Sequence, residues 1–136
     1  MRDEIVAALA GDHTLAALLT GGVYGGVEIS RQFTPAAFDA TTKEILPCAL
    51  VKVENESHVW PYWTGSRAFV LVLFYQRYGY TAIDPAMERA FALLNMTKVG
   101  GSGMWNVVHA NDVRDLRDQA LDCSMAMSRY VAMRLR

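Results

Sequence analysis

The run Ala68-Phe69-Val70-Leu71-Val72-Leu73-Phe74-Tyr75 leaves this chain few ways to fold. Seven of its eight side chains are branched or aromatic, and none is charged. A run that short and that apolar reads as a β-strand covered on both faces. The strand is expected from about Arg67 to Arg77, a reach of roughly 35 Å. Gly79 breaks it, and Asp84-Pro85 then opens a helix, with Asp as the cap and Pro in the first position. Met87, Ala90, Phe91 and Leu94 form the expected buried stripe of that helix, which ends near Asn95. The whole of Ser66 to Asn95 is therefore one strand–turn–helix unit.

Other segments arrange themselves around it. Arg2 to Ala10 sets Ile5, Val6 and Leu9 on one helical face, with Asp3 and Glu4 favourably placed in the first turn. Asp12 can cap a second short turn, His13 to Leu19, that Gly21-Gly22 ends. Val23 to Val27 fits a short strand or an extended linker. Residues 28–46 lack sustained periodicity, apart from Thr34-Pro35, which suits one helical turn. A segment of that length is long for a compact domain, and Phe33 and Phe38 within it need a cover. Pro47 opens a strand over Cys48 to Glu54. Residues 55–66 are turn-rich and hold the aromatic patch Trp60, Tyr62 and Trp63 around Pro61. Thr97 to Gly103 reads as a flexible connection and Trp105 to His109 as a strand. Leu121, Cys123, Met125 and Met127 alternate with Asp122, Ser124, Ala126 and Ser128, a period of two that predicts a strand running to about Leu135. Its Ala and Met content leaves a helix over 119–135 as the alternative. The sum is one α+β domain over residues 1–136. A mostly antiparallel sheet of about four to five strands carries an N-terminal helical segment and one central helix.

Chemistry is sparse. With 13 Lys and Arg against 14 Asp and Glu, the net charge of −1 offers no basic block with which to grip nucleic acid. His13, His58 and His109 have no metal-ligand spacing to one another or to a cysteine. Cys48 and Cys123 lie in apolar contexts and read as buried thiols, although a dyad of either with His109 can be drawn. The aspartates from Asp112 to Asp122, interleaved with Arg114 and Arg117, lack the glycine turn of a calcium loop and suit a solvated face. Residues 100–103 lack the lysine of a phosphate loop. No metal, cofactor or catalytic residue is expected. No stretch approaches the ~18 apolar residues of a membrane span, and the N-terminus lacks a signal-peptide core, so use in a cytoplasm is expected. The mean hydropathy of +0.11 suggests that some apolar surface is covered by a partner. The rings of Trp60, Tyr62 and Trp63 suit either a cap on the core or an interface hot spot.

The order of these pieces resembles the tail-terminator, or tail-completion, proteins of long-tailed bacteriophages. The resemblance runs from about His13 to Leu135. It rests on LAALLTGGVY closing the first segment, Leu46-Pro47 opening a strand, and SRAFVLVLFYQRYG ending just before DPAMERAFALLN. The stretch Glu28–Glu44 departs from the pattern by its length. The resemblance implies a virion protein, not an enzyme, assembled in the host cytoplasm. It would form a ring, expected to be a hexamer, on the head-proximal end of the tail tube. That ring would stop tube polymerisation and join the tail to the head connector, with DNA passing through its lumen unread. Partners would be copies of itself, the tail tube protein and a head-closure or connector protein. Another neck component, such as a stopper ring, is the nearest alternative, and a small α+β enzyme or ligand-binding domain a distant one. Phe33, Phe38, Trp60, Tyr62, Trp63, Tyr78 and Tyr80 are the expected interface residues. Asp112, Arg114, Asp115, Arg117 and Asp118 are the expected lumen or ring contacts.

Overall fold

The computed structural model describes residues 1–58, 65–100 and 105–135. The apolar run becomes β3 (Gly65–Gln76), held between β2 (Cys48–His58) and β6 (Cys123–Leu135), both antiparallel to it. With β1 (Val23–Gly25), β4 (Thr97–Val99) and β5 (Trp105–Asp118) they form one sheet of order β1-β2-β3-β6-β5-β4. The sheet thus has six strands, against the four to five expected, and it is mixed, because β1 runs parallel to β2. The extra strands come from segments too short to show a period. Thr97–Val99, expected to be a flexible connection, pairs with Trp105–Val107.

Two further expectations change. The strand expected to end at His109 runs on to Asp118, and the strand expected to end at Glu54 runs on to His58. Both extensions carry bulges, at Glu54/Ser57 in β2 and at His109/Asn111 and Val113/Leu116 in β5. A bulge adds a residue and shifts which side chains face the core, so alternation fails while pairing continues.

The helices α1 (Arg2–Ala10), α2 (His13–Leu18) and α3 (Ile83–Leu94) cover one face of the sheet. Ile5, Leu9, Leu15, Met87 and Leu94 pack there against Val70, Val72, Phe74 and Tyr130. Each such aliphatic side chain contributes about 1.5–3 kcal/mol on burial. The chain comes close enough for only glycine at residue 25, where a Cβ would stand 2.8 Å from Val6 Cγ2. Asp12 caps α2 as expected, accepting the Leu15 N–H at 2.9 Å, and also receives the Arg89 guanidinium on both oxygens, at 2.9 and 2.7 Å. That ion pair ties α2 to α3.

Asp84, by contrast, sits inside the first turn of α3 and makes no cap. The cap comes from Gln76, at the end of β3, whose Oε1 accepts the N–H groups of Ala82 (2.9 Å) and Ile83 (3.3 Å). Strand and helix are therefore joined by a side chain as well as by the turn. Phe91 is the other correction in α3: the buried stripe is Ile83, Ala86, Met87, Ala90 and Leu94, and Phe91 is 40% exposed.

The opposite sheet face is covered at one end only. The 29–46 segment lays Ile29, Ala37 and Ile45 over Cys48, Leu50, Tyr75 and Cys123. It keeps its shape through local bonds. Thr34 and Ser30 bond reciprocally, the Asp39 carboxylate accepts the N–H groups of Thr41 and Thr42, and Phe38 bridges Ile45. Beyond that cover no other described segment packs on the face.

Candidate interaction surfaces

The expected interface aromatics fall in different settings. Phe33 is 61% exposed at the tip of the 29–46 segment. Phe38 packs on the smaller core, with the Arg31 guanidinium 5.7 Å above its ring. Tyr78 is 67% exposed under the Arg77 guanidinium at 4.3 Å. Tyr80 is half-buried and donates its hydroxyl to the Leu116 carbonyl at 2.7 Å, bracing the β3–α3 turn against β5. Trp60, Tyr62 and Trp63 lie outside the described residues.

The charged series on β5 is largely engaged within the chain. Arg114 pairs with Asp84 (2.8 Å), Glu88 (3.2 Å) and Asp112 (3.6 Å). Asp112 also accepts from Ser128 at 2.8 Å and lies 2.9 Å from His109 Nε2. Arg117 pairs with Asp122, and Asp118 accepts the Leu121 N–H at 2.9 Å in the turn to β6. Asp115 sits at a bulge with φ +57°. These residues lie beyond the reach of the three-residue β4, and no described strand pairs with that edge of β5 there. Charges and bulges on such an edge oppose strand addition by another chain.

A larger surface escaped the sequence reading. Past the 29–46 cover, β3, β6 and β5 turn Phe69, Leu71, Met127, Val131, Val108 and Met133 to the side away from the helices, in registered rows such as Phe69↔Val131↔Val108, with Leu71 itself buried among its neighbours. Val108 and Met133 are each 43% exposed. Three cations lie among them. Arg129 stacks on Phe69 at 4.1 Å, Arg67 reaches the same ring at 5.6 Å, and Lys52 lies across from Leu71. Among the described residues, ion pairs engage Arg77, Arg89, Arg114, Arg117 and Arg134 but not Arg67 or Arg129. Arg129 Nε is buried with no acceptor among the described residues. The signal was present in the β3 run: an unbroken apolar strand needs two covers, and the helices supply one.

The residues considered for catalysis are kept apart. Cys48 and Cys123 lie under the 29–46 segment, whereas His109 stands on the helix side, edge-on to the rings of Phe91 and Tyr130 at 5.2 Å. Burial pushes the Cys48 thiol up to about 12 and the Cys123 thiol up to about 11, the latter helped by Asp118. Neither thiol forms a nucleophilic thiolate near neutral pH.

No family model and no curated protein matches this sequence. The fold has a counterpart. A chain from the virion of a native gene transfer agent particle superposes on it with a TM-score of 0.68 at 15% identity. The match covers 100% of this chain and 95% of that one, so the architecture is shared from end to end.

Proposed function

We propose that this chain is a structural subunit of a phage-like virion and that, within it, the chain is a ring-forming tail terminator. The carrying observation is the end-to-end fold match with a chain from a gene transfer agent virion. In this reading the protein works through its interfaces. Copies close into a ring, expected to be a hexamer, on the head-proximal end of the tail tube. The ring stops tube growth and docks the head connector, and DNA passes through its lumen. A net charge of −1 suits that passage, because a strongly basic lumen would hold the duplex. The open apolar and cationic sheet face suits subunit contact.

The test is the mass of the purified protein, alone and mixed with tail tube protein or with connector protein. A closed ring that binds the tube end is the expected result. A ring that binds only the connector makes it a stopper, and a monomer in every mixture ends the ring reading.

A further inference from the structure

We propose that the open sheet face is one half of a head-to-tail contact, and that its occupant is the outer stripe of α3 on a second copy of this chain. This deepens the ring reading above and rests on it. The stripe is Asp84, Glu88 and Phe91, spaced so that they share one helical face. Phe91 is 40% exposed, the Asp84 and Glu88 side chains are 56% and 74% exposed, and Met96, also exposed, follows at the helix end. Arg114 is the local cation, outnumbered by the carboxylates of Asp84, Glu88 and Asp112 that it touches.

The two surfaces are complementary in kind. The sheet face is apolar with an excess of cations: Lys52, Arg67 and Arg129, with Glu54 at the rim opposite Phe69. The helix stripe is apolar with an excess of carboxylates. Bringing them together sets the carboxylates of Asp84 and Glu88 against the guanidinium groups of Arg67 and Arg129 that stand over the Phe69 ring. Two sheet faces brought together as a symmetric pair would instead set cation against cation, which costs affinity.

Geometry points the same way. The sheet face and α3 lie on opposite sides of one sheet. A contact between unlike, opposite surfaces is heterologous, and repeating it generates a closed ring or a filament, never an isolated two-fold pair. Four strands about 4.8 Å apart and about 20 Å long offer roughly 400 Å². That is about half of the ~800 Å² per partner in a standard interface, a suitable apolar centre for a polar rim.

Charge reversal tests the pairing with the full chain. One variant carries Arg67→Glu and Arg129→Glu, and a second carries Asp84→Arg and Glu88→Arg. Each alone is expected to assemble about tenfold less tightly, or worse, because like charges now meet. Mixed in equal amounts, the two should alternate around a ring and restore assembly. Circular dichroism melts confirm that each variant is folded. Val108→Glu on the exposed part of the sheet face serves if the arginine variant is not, and it too should weaken assembly. Unaltered rings from either variant alone, or from Val108→Glu, overturn this pairing and leave the ring reading standing. A complex of only two chains from the mixture also overturns it, since that marks a symmetric contact. A wild-type chain that stays monomeric with every partner overturns the ring reading, and this contact with it.

Discussion

Asp12 shows how much one side chain can hold. Its carboxylate caps α2 and grips Arg89 on α3, and these bonds, that from Arg89 first, hold its pKa down to about 2 from an ordinary 3.8. A carboxyl with a depressed folded pKa contributes stability that is fully present above its ordinary pKa and is lost as pH falls through the folded value. Asp12→Asn keeps a competent cap and loses the ion pair. The melting temperature of the wild type should therefore exceed that of Asp12→Asn by a constant margin above about pH 4, and the margin should close toward pH 2. Thermal melts of both proteins across that range check it; a margin that widens on acidification would refute it. The capping half of this role is legible in the sequence, where Asp12 stands before His13-Thr14-Leu15. The Arg89 half is not, because nothing local relates residues 77 positions apart. The cysteines make a second residue-scale test. Cys48 and Cys123 are separated by the width of β3, which sets them roughly 10 Å apart. That exceeds the about 7 Å between Cα atoms that a disulfide tolerates. Both thiols should resist alkylation at pH 8 in the folded protein and react together on unfolding, as mass shifts would report.

Periodicity speaks clearly for elements with one buried face and an unbroken register. Ile5 and Leu9 in α1 and the alternating Cys123, Met125 and Met127 in β6 are such cases. The strand over 123–135 settles against the helical alternative for a reason visible in its pairing, since every residue from Ser124 to Leu135 has a partner on β3. It fails for the second half of β5, where two bulges displace the alternation and an unpaired edge carries Asp112, Arg114, Asp115, Arg117 and Asp118. Those residues read as a solvated segment because their charges protect an edge. Replacing Asp112, Arg114 and Asp115 together with threonine should leave a strand that pairs with other copies. Light scattering on heating should then show aggregation at lower temperature than in the wild type. The helix begins two residues before the expected start at Pro85, with Ala82 in the cap position, and the capping group is Gln76. Gln76→Ala removes the acceptor for two helix N–H groups and should cost about 1 kcal/mol. Urea unfolding measures it, and an unchanged midpoint would mean that solvent serves those groups as well.

Among the described residues the molecule is a sheet with helices over one face and a shorter cover, the 29–46 segment, over the other. That asymmetry cannot be read from Ala68–Tyr75, which announces two buried faces without saying whether the second cover belongs to the same chain. The parallel β1–β2 pair is equally silent, since three residues carry no period and their register is set by the packing of α1 over Gly25. The methionines report directly on what covers the open face. Met133 on that face is 43% exposed and Met96 beside α3 is 77% exposed, whereas Met87 in the core is 2% exposed. Peroxide converts exposed thioethers to sulfoxides in order of access. In the free chain Met96 and Met133 should oxidise first and Met87 last. If α3 of one copy seats on the sheet of the next, assembly protects Met133, and with it Met127 in the adjoining row, while Met87 is unchanged. Peptide mass spectrometry of free and assembled protein reads each site separately. Met133 oxidised at the same rate in both states would place the contact elsewhere, because an apolar face buried in a ring cannot keep its free-chain access to peroxide.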